Sequence, residues 1–376
     1  MVTPLPVTTY NSRTPSAVLW NGHRTIMSEC RLQDKPMLTV YSDYGAKTIE
    51  IIGRNRIRSL VFLEDGRHLL SADDQGTIRQ WRCDDGREVG EGIRTSSGLI
   101  TAMALSGDGN WIVSSGWQVA NVLNRRSQTS FTVGEHTDWV DTVHVSPDST
   151  KFATGANDKT AFIWDISTGK QLVGPLEHDD RVRTVKFSTS GDRIATSSRD
   201  LRVYDAHNGT LLTSISVSLA SYQSSDLIAW SGVQNVFALT SGNTLAHIHV
   251  NARQTLSSSP QITGEWGEFG NISLSSNSQF IAASLGRSIS FLDTATYAQI
   301  SSVLQHPTPI WSIALSFDNN YLATSDANGI ITLRNLHYIV PSYYLGQNVV
   351  QQSQTGSVAD LELHFGAFLC NPTSRL

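Results

Sequence analysis

Three stretches of the sequence contain residue types that could carry out chemistry. His136 and Asp158 could act as a general base and the carboxylate that orients it. His247 and His249 are two residues apart on an expected strand, so their side chains share a face and could bind a metal ion. Residues 155–160 read GANDKT, which superficially suggests a phosphate-binding loop. Each stretch has to be judged by the elements that position it.

The sequence around these stretches argues against catalysis and cofactor binding. GANDKT lacks the second glycine before its lysine and the helix after it that a phosphate loop needs, so a tight turn is expected. His247 and His249 have no third histidine or cysteine near them in the sequence, whereas zinc sites use three or four protein ligands. No G-x-S-x-G elbow accompanies the abundant Ser, His and Asp residues. We therefore expect no catalytic residue, no cofactor and no metal.

The composition narrows the class of protein further. The 376 residues carry a net charge of −5 without a long run of Lys or Arg, so nucleic acid is not an expected partner. Neither a secretory signal nor an apolar run of about 18 residues occurs, so no membrane partner is expected either. The three distant cysteines, Cys30, Cys83 and Cys370, are typical of a reducing compartment. We expect a cytoplasmic or nuclear protein.

The sequence repeats itself along most of its length. Seven similar strand-like runs begin at residues 57, 100, 140, 182, 225, 270 and 310, which are 40 to 45 residues apart. In most units a polar turn and a clear second strand follow the run, then a tight turn, a third strand and a more irregular fourth strand. No segment shows a convincing helical period. Four short antiparallel strands per unit indicate the blades of a β-propeller.

The third unit has the most specific motif, GEHTDWVDTVHVSPDSTKFATGANDKTAFIWDI. With this unit and its weaker copies, residues 47–336 resemble the WD40-repeat β-propeller family. The resemblance implies an all-β fold of seven blades with four antiparallel strands in each. Units three and four match specifically, whereas units two, five and six are degenerate.

The resemblance also implies a buried hydrogen-bonded network of His, Ser or Thr, Asp and Trp in a blade, which would make His136 and Asp158 structural. In the third unit the matching residues are His136, Thr154, Asp158 and Trp164. In the fourth unit they are His178, Thr196, Asp200 and Tyr204, with two residues missing after the turn. The first unit keeps Trp81 and Asp74 but has Arg54 in place of the His. Ile248 and Leu292 stand near the Trp position in units five and six, so apolar packing is expected there.

The seventh unit shows no fourth strand after its third, so another segment must close the ring. Thr48–Ile52 is expected to supply the fourth strand and thus to cover an exposed sheet edge. The alternative is the stretch YLGQNVV, which begins at Tyr344. The expected organisation is an N-terminal extension at 1–46, a propeller at 47–336 and a C-terminal tail at 337–376. Residues 1–35 and 353–376 are expected outside the ring and loosely ordered.

The expected function is a non-catalytic interaction platform. One propeller, within a larger complex, would bind a protein or peptide on the narrow face of the ring. Residues before each first strand, and in the turn between the second and third strands, should crown that face. They include residue types enriched at interface hot spots, namely Arg56, Trp117, Trp139, Arg181 and Arg199.

Nearby acidic residues favour a partner with a basic or mixed segment; these are Glu135, Asp138, Asp179 and Asp180. Two other functions remain possible. One is the substrate receptor of a ubiquitin ligase, although Asp165 is followed by Ile166 and Ser167 rather than by the x-Arg of such receptors. The other is a propeller enzyme that uses the central channel.

Overall fold

The computed structural model describes residues 17–20, 23–26, 38–43, 46–53, 55–95, 98–220, 226–262 and 270–346. Two hairpins come first. The strands β1 (Ala17–Trp20) and β2 (His23–Ile26) pair only with each other, and β3 (Leu38–Asp43) pairs with β4 (Ala46–Ile52). The rest of the described chain forms seven antiparallel sheets, which we number as blades 1 to 7.

In blades 1 to 6 the four strands pair in the order in which they follow one another along the chain. Blade 1 contains β5 (Ile57–Phe62), β6 (His68–Asp73), β7 (Thr77–Arg82) and β8 (Ile93–Arg94). Blade 2 contains β9 (Met103–Leu105), β10 (Trp111–Ser115), β11 (Ala120–Asn124) and β12 (Ser130–Val133). Blade 3 contains β13 (Val140–Val145), β14 (Lys151–Ala156), β15 (Thr160–Asp165) and β16 (Gln171–Glu177). Blade 4 contains β17 (Thr184–Phe187), β18 (Arg193–Ser197), β19 (Leu201–Asp205) and β20 (Leu211–Ile215).

The remaining blades follow the same plan. Blade 5 contains β21 (Ile228–Ser231), β22 (Asn235–Leu239), β23 (Leu245–His249) and β24 (Gln254–Ser258). Blade 6 contains β25 (Gly270–Leu274), β26 (Phe280–Leu285), β27 (Ser288–Asp293) and β28 (Leu304–Gln305). Blade 7 begins with β29 (Ile310–Leu315), β30 (Tyr321–Asp326) and β31 (Ile330–Asn335).

The blades form a closed ring. The first strand of each blade contacts the first strand of the next, and β29 of blade 7 contacts β5 of blade 1. The first strands therefore surround the axis. The second strand β26 (FIAASL) is buried at every residue, because blades pack against both of its faces. Outer strands such as β24 are mostly exposed. This is the seven-bladed, all-β propeller that the repeat predicts.

The closure of the ring by an N-terminal strand is confirmed. β4 pairs antiparallel with β31, with Ile49 opposite Leu333 and Ile51 opposite Ile331. The chain then turns into blade 1 at Gly53, whose N–H donates to the Gly329 carbonyl at 2.9 Å. A Cβ on Gly53 would lie 2.6 Å from that oxygen, so only glycine fits there without a shift. A fifth strand that was not expected, β3, pairs with the outer edge of β4.

The alternative closing segment has a different structure. Tyr344 and Leu345 lie in a 3-10 helix, η2 (Ser342–Leu345), which follows another 3-10 helix, η1 (Leu336–Tyr338). Residues of this segment are buried in one cluster with blades 6 and 7, and the Tyr344 hydroxyl donates to Asp293 Oδ2 at 2.6 Å. Residues 347–350, the rest of that alternative segment, are outside the described residues.

The packed body extends past the expected domain boundaries at both ends. η1 and η2 lie in the segment assigned to the tail, and β3 lies in the segment assigned to the N-terminal extension. The β1–β2 hairpin also lies where loose order was expected. Residues 1–16 and 353–376, for which loose order was expected as well, are outside the described residues. No helix within the described ranges is long and apolar enough to cross a membrane.

Candidate partner-binding face

The antiparallel order of the strands fixes which loops share a face. In each blade the start of the first strand and the turn between the second and third strands lie at the same end of the sheet. We call this end of the ring the crown face. The turns between the first and second strands lie at the opposite end, the base face.

A chain of hydrogen bonds supports the crown face in blade 3. The Trp164 indole N–H donates to Thr154 Oγ1 at 3.0 Å, and Thr154 Oγ1 lies 2.8 Å from His136 Nε2. His136 Nδ1 lies 2.9 Å from Asp158 Oδ2, which also accepts the backbone N–H of Thr137. Burial lowers the pKa of His136, so the neutral ring accepts from Thr154 and donates to Asp158. Each polar group has a partner, which makes a structural role sufficient to explain the His–Asp pair.

The equivalent chain in blade 4 lacks its aspartate. His178 Nε2 lies 2.8 Å from Thr196 Oγ1 and 3.4 Å from the Tyr204 hydroxyl. His178 Nδ1 donates to the Leu176 carbonyl at 2.9 Å, and no hydrogen bond joins it to Asp200 in the described part of the chain. The expectation for Asp200 is therefore wrong. The hairpin is two residues shorter than in blade 3, because Thr196 pairs with Arg202 whereas Thr154 pairs with Phe162.

In blade 1 the aspartate whose carboxylate binds the turn between β6 and β7 is Asp73, not the expected Asp74. The buried Asp73 carboxylate accepts from Arg79 at 2.9 Å and from the Thr77 N–H at 2.8 Å. The Trp81 indole donates to Ser71 Oγ at 2.8 Å. Arg54, the residue at the histidine position, is outside the described residues.

Blade 7 has a related network that the sequence reasoning missed. His306 Nε2 lies 3.3 Å from Thr332 Oγ1. Arg334 occupies the Trp position of this blade and donates to Thr324 Oγ1 at 3.2 Å. The signal was present, because His306 precedes Ile310 by four residues, just as His136 precedes Val140. In blades 5 and 6, Ile248 and Leu292 occupy the Trp position and are buried.

A repeated irregularity sets the side chains at the inner rim of the crown face. The pairing of first and second strands skips one residue at the same place in blades 1, 3 and 7. The skipped residues are Arg58, Asp141 and Trp311. A β-bulge of this kind leaves one residue unpaired and turns its side chain in a new direction. None of these three residues was among the expected site residues.

Arg58 and Trp311 are in contact at this rim. The Arg58 guanidinium carbon lies 4.1 Å from the centre of the Trp311 ring, and that of Arg56 lies 5.8 Å from it. Burial lowers the pKa of Arg58, while nearby Asp74 and Asp141 oppose this effect. Burial raises the pKa of Asp141 to about 6, against the influence of Arg183, Arg181 and Arg58. Charges from blades 1, 3 and 4 therefore influence one another at the rim.

The expected crown residues separate into three groups. Trp117 and Trp139 meet between blades 2 and 3, with ring centres 5.0 Å apart and planes at 75°, and Trp117 is 46% exposed. Arg56 lies over Trp311. Arg199 pairs with Asp180 at 3.2 Å, and Arg181 is exposed on the same blade, blade 4. Within the described residues, Trp139 and Arg181 do not contact each other.

The other candidate residues have structural partners. His247 Nδ1 lies 2.7 Å from the Tyr297 hydroxyl, and His249 Nδ1 accepts the Ala252 N–H at 3.2 Å. Within the described ranges no three His, Cys, Asp or Glu side chains form a group that could hold a metal. Residues 157–159 form the turn between β14 and β15. Cys83 is buried, which raises its pKa to about 12.

The comparisons with known proteins agree with this geometry. The family model described as WD domain, G-beta repeat matches residues 47–82, 127–165, 170–205 and 298–335. The chain belongs to the WD40-repeat β-propellers. Each matched WD40 repeat starts with the fourth strand of one blade and continues with three strands of the next. The first match accordingly begins in β4, the strand that completes blade 7.

Relatives of this WD40 propeller share only part of their length with it. Apoptotic protease-activating factor 1 of Rattus norvegicus is 28% identical over 166 residues, which cover 42% of this chain and 13% of that protein. Small ribosomal subunit protein RACK1 of Caenorhabditis elegans is 31% identical over 155 residues, 38% of this chain and 47% of that protein. The chain thus matches less than half of either relative.

A solved structure shows the same fold. The crystal structure of the WD40 β-propeller domain of Doa1 aligns with a TM-score of 0.64 and 16% identity, covering 75% of this chain and 93% of that one. At this identity the likeness concerns the fold alone.

The WD40 propeller also has a cavity away from the crown face. It measures about 650 Å³, lies between blades 1 and 2 and includes turns of the base face in its wall. Its lining contains Arg125, which donates to the Gly109 carbonyl at 2.8 Å and to Gln80 at 3.3 Å. Exposed Arg126 also lines it. None of the expected crown residues takes part in this cavity.

Proposed function

We propose that this WD40 propeller is a non-catalytic platform that binds a protein or peptide segment on its crown face. The observation that supports the proposal best is the Trp117–Trp139 pair, which leaves a large indole surface exposed between two blades. Tryptophan provides much contact area for little loss of side-chain freedom and is enriched at binding hot spots. Arginines of blades 1 and 4 lie on the same face of the ring.

We also propose that the protein acts in the cytoplasm or nucleus, as one propeller within a larger complex, without binding nucleic acid or membrane. The relative RACK1 is named as a protein of the small ribosomal subunit, which supports a role within a larger complex. The substrate receptor of a ubiquitin ligase and the propeller enzyme remain alternatives. No feature of the described residues favours either of them.

The proposal is tested by affinity capture with the full chain and a matched pair of variants. Trp117→Ala removes the exposed indole of the crown face, whereas Phe317→Ala removes an aromatic ring that is 58% exposed in a turn of the base face. We expect Trp117→Ala to lower the affinity for a captured partner by about tenfold or more. Phe317→Ala should leave it unchanged. The opposite pattern would place binding on the base face and contradict the proposal.

A further inference from the structure

Arg56, Arg58, Arg181 and Arg183 are arginines of the crown face whose guanidinium groups make no hydrogen bond or ion pair with any described residue. Other arginines of the same face are engaged: Arg199 pairs with Asp180, and Arg202 pairs with Asp179. Several carboxylates of the crown face therefore already have partners within the protein. Asp158 belongs to the blade 3 network, and Asp180 also accepts the Arg181 backbone N–H. A partner therefore meets these four guanidinium groups without a bound carboxylate, whereas Asp179 and Asp180 are already paired with arginines.

Arg58 is the best positioned of the four. The bulge in β5 makes it the unpaired residue at the inner rim, and its guanidinium lies against the face of Trp311. Its Nε is buried without a hydrogen-bond partner among the described residues. Burial also lowers its pKa, so the charged form is held at an energetic cost. A carboxylate that accepts from Arg58 would satisfy the buried donor and offset this cost.

We infer that the crown face recognises an acidic peptide segment, with an Asp or Glu carboxylate bound by Arg58 beside Trp311. Arg56 influences Arg58 electrostatically, and Arg183 and Arg58 both influence Asp141, so Arg56 and Arg183 would contribute to the binding of neighbouring acidic residues. This inference rests on the proposed function and specifies its partner. It departs from the basic or mixed segment expected from the sequence, because that expectation counted Asp179 and Asp180 as free.

An acidic peptide fits the rim better than a nucleic acid does. Asp74 and Asp141 lie near Arg58 and interrupt the positive charge. A nucleic-acid strand carries a phosphate on every nucleotide and needs a continuous basic groove. A peptide can place a single carboxylate on Arg58 and keep uncharged residues next to the aspartates.

The test is a selection of random dodecapeptides displayed on phage against the full chain. We expect the selected peptides to be enriched in Asp and Glu, and their synthetic copies to bind in a salt-sensitive way. Binding should fall about tenfold or more in the Arg56→Ala/Arg58→Ala double variant. Arg58→Lys should bind more weakly than wild type, because lysine keeps the charge and loses the planar contact with Trp311. Arg126→Ala, an exposed arginine at the base-face cavity, is the matched control and should bind normally.

The possible results separate the two proposals. Failure to select any peptide would contradict the proposed function and this inference together. Selection of basic or neutral peptides that are lost in Trp117→Ala would leave the proposed function standing and overturn the acidic partner. Acidic peptides that bind the double variant normally would also overturn it. Arg56→Ala alone keeps the test valid if the double variant fails to fold, because Arg56 is exposed.

A final arm distinguishes carboxylates from phosphates. Single-stranded oligothymidylate is added as competitor to the bound acidic peptide. We expect no displacement at concentrations equal to those of the peptide. Displacement that depends on Arg58 would show that the rim binds nucleic-acid phosphates, and the inference would fail.

Discussion

At the scale of single residues, the blade 3 network joins four polar groups that cannot easily be replaced one at a time. Trp164→Phe keeps most of the ring volume but removes the donor to Thr154. His136→Ala removes the acceptor of Thr154 and the donor to Asp158. We expect each variant to lower the free energy of unfolding by about 1–3 kcal/mol, because a buried polar group is left without a partner.

The double variant distinguishes a network from independent contacts. It should lose less stability than the sum of the two single variants, since both disturb the same Thr154 hydroxyl. Denaturant unfolding of all four proteins measures this coupling. Trp81→Phe in blade 1, where the indole donates to Ser71 without a described histidine, is the comparison. Purely additive losses in blade 3 would show that the groups act separately.

Asp141 gives a prediction with a defined pH range. Burial raises its pKa to about 6, above the value of about 3.9 in an unfolded chain. The folded protein therefore binds this proton more tightly, and the contribution of Asp141 to stability falls as the pH rises from about 4 to 6. At pH 7 the cost is fully present. We expect Asp141→Asn to stabilise the protein at pH 7 by an amount of the order of 2 kcal/mol.

The gain from Asp141→Asn should disappear below about pH 4, where the wild-type carboxyl is protonated in both states. Thermal unfolding between pH 4 and 7 measures the difference. Asp200→Asn is the control, since the Asp200 carboxylate has no hydrogen bond with a described residue. A stability difference that does not change with pH would contradict the assigned cause.

The sequence could predict the residues whose partners lie at fixed spacings. His136, Thr154 and Trp164 stand at the positions of the third unit where the resemblance to the WD40 family implies such a network. Arg58, Asp141 and Trp311 could not be identified in this way, because a bulge is a property of the pairing register. Asp200 was misassigned although the missing two residues were visible, because the resemblance was carried over to a shorter hairpin in which His178 donates to the Leu176 carbonyl instead.

At the scale of elements, the strand β4 joins the two ends of the ring. Ile49 and Ile51 are buried on the same side of β4, and Thr48 lies on the other. Ile51→Ala should lower the free energy of unfolding by about 2–5 kcal/mol through the lost burial and the cavity left behind. Thr48→Ala, in the same strand, should cost much less. Equal losses of unfolding free energy in the two variants would mean that both faces of β4 are packed alike.

Removal of the whole closing segment should have a larger consequence. Deletion of residues 1–53 removes β3 and β4 and leaves the edge of β31 unpaired. An exposed edge strand pairs readily with other chains, so we expect the truncated protein to associate or aggregate. Size-exclusion chromatography with light scattering measures this. A truncated protein that stays monomeric and melts like the full chain would contradict the role of β4.

The sequence predicted the strands that alternate regularly and missed the elements that do not repeat. Thr48–Ile52 was identifiable because a fourth strand was missing from unit seven. β3 occurs once, on the outer edge of blade 7, and no other unit has a counterpart from which it could be inferred. The helices η1 and η2 are too short for a helical period, and their burial depends on contacts with blade 6.

At the scale of the whole molecule, a closed ring differs from an open array of repeats. In an open array the terminal units have one neighbour and can unfold separately. Here every blade contacts a blade on each side, because β4 and β31 close blade 7 and β29 contacts β5. Loss of one blade would expose the faces of two others. We therefore expect the seven blades to unfold together.

The distribution of tryptophans allows this cooperativity to be measured. The tryptophans with described side chains lie in blades 1, 2, 3, 5 and 7, while Phe291 is fully buried in blade 6. Trp20 and Trp266, whose side chains are outside the described residues, are replaced by Phe in the background protein. Phe291→Ala should then cost about 3–5 kcal/mol and lower the midpoint measured by tryptophan fluorescence and by circular dichroism equally. Exposed Phe317→Ala should shift neither. A circular dichroism transition that precedes an unchanged fluorescence transition would show that blade 6 unfolds alone, and that closure does not couple the ring.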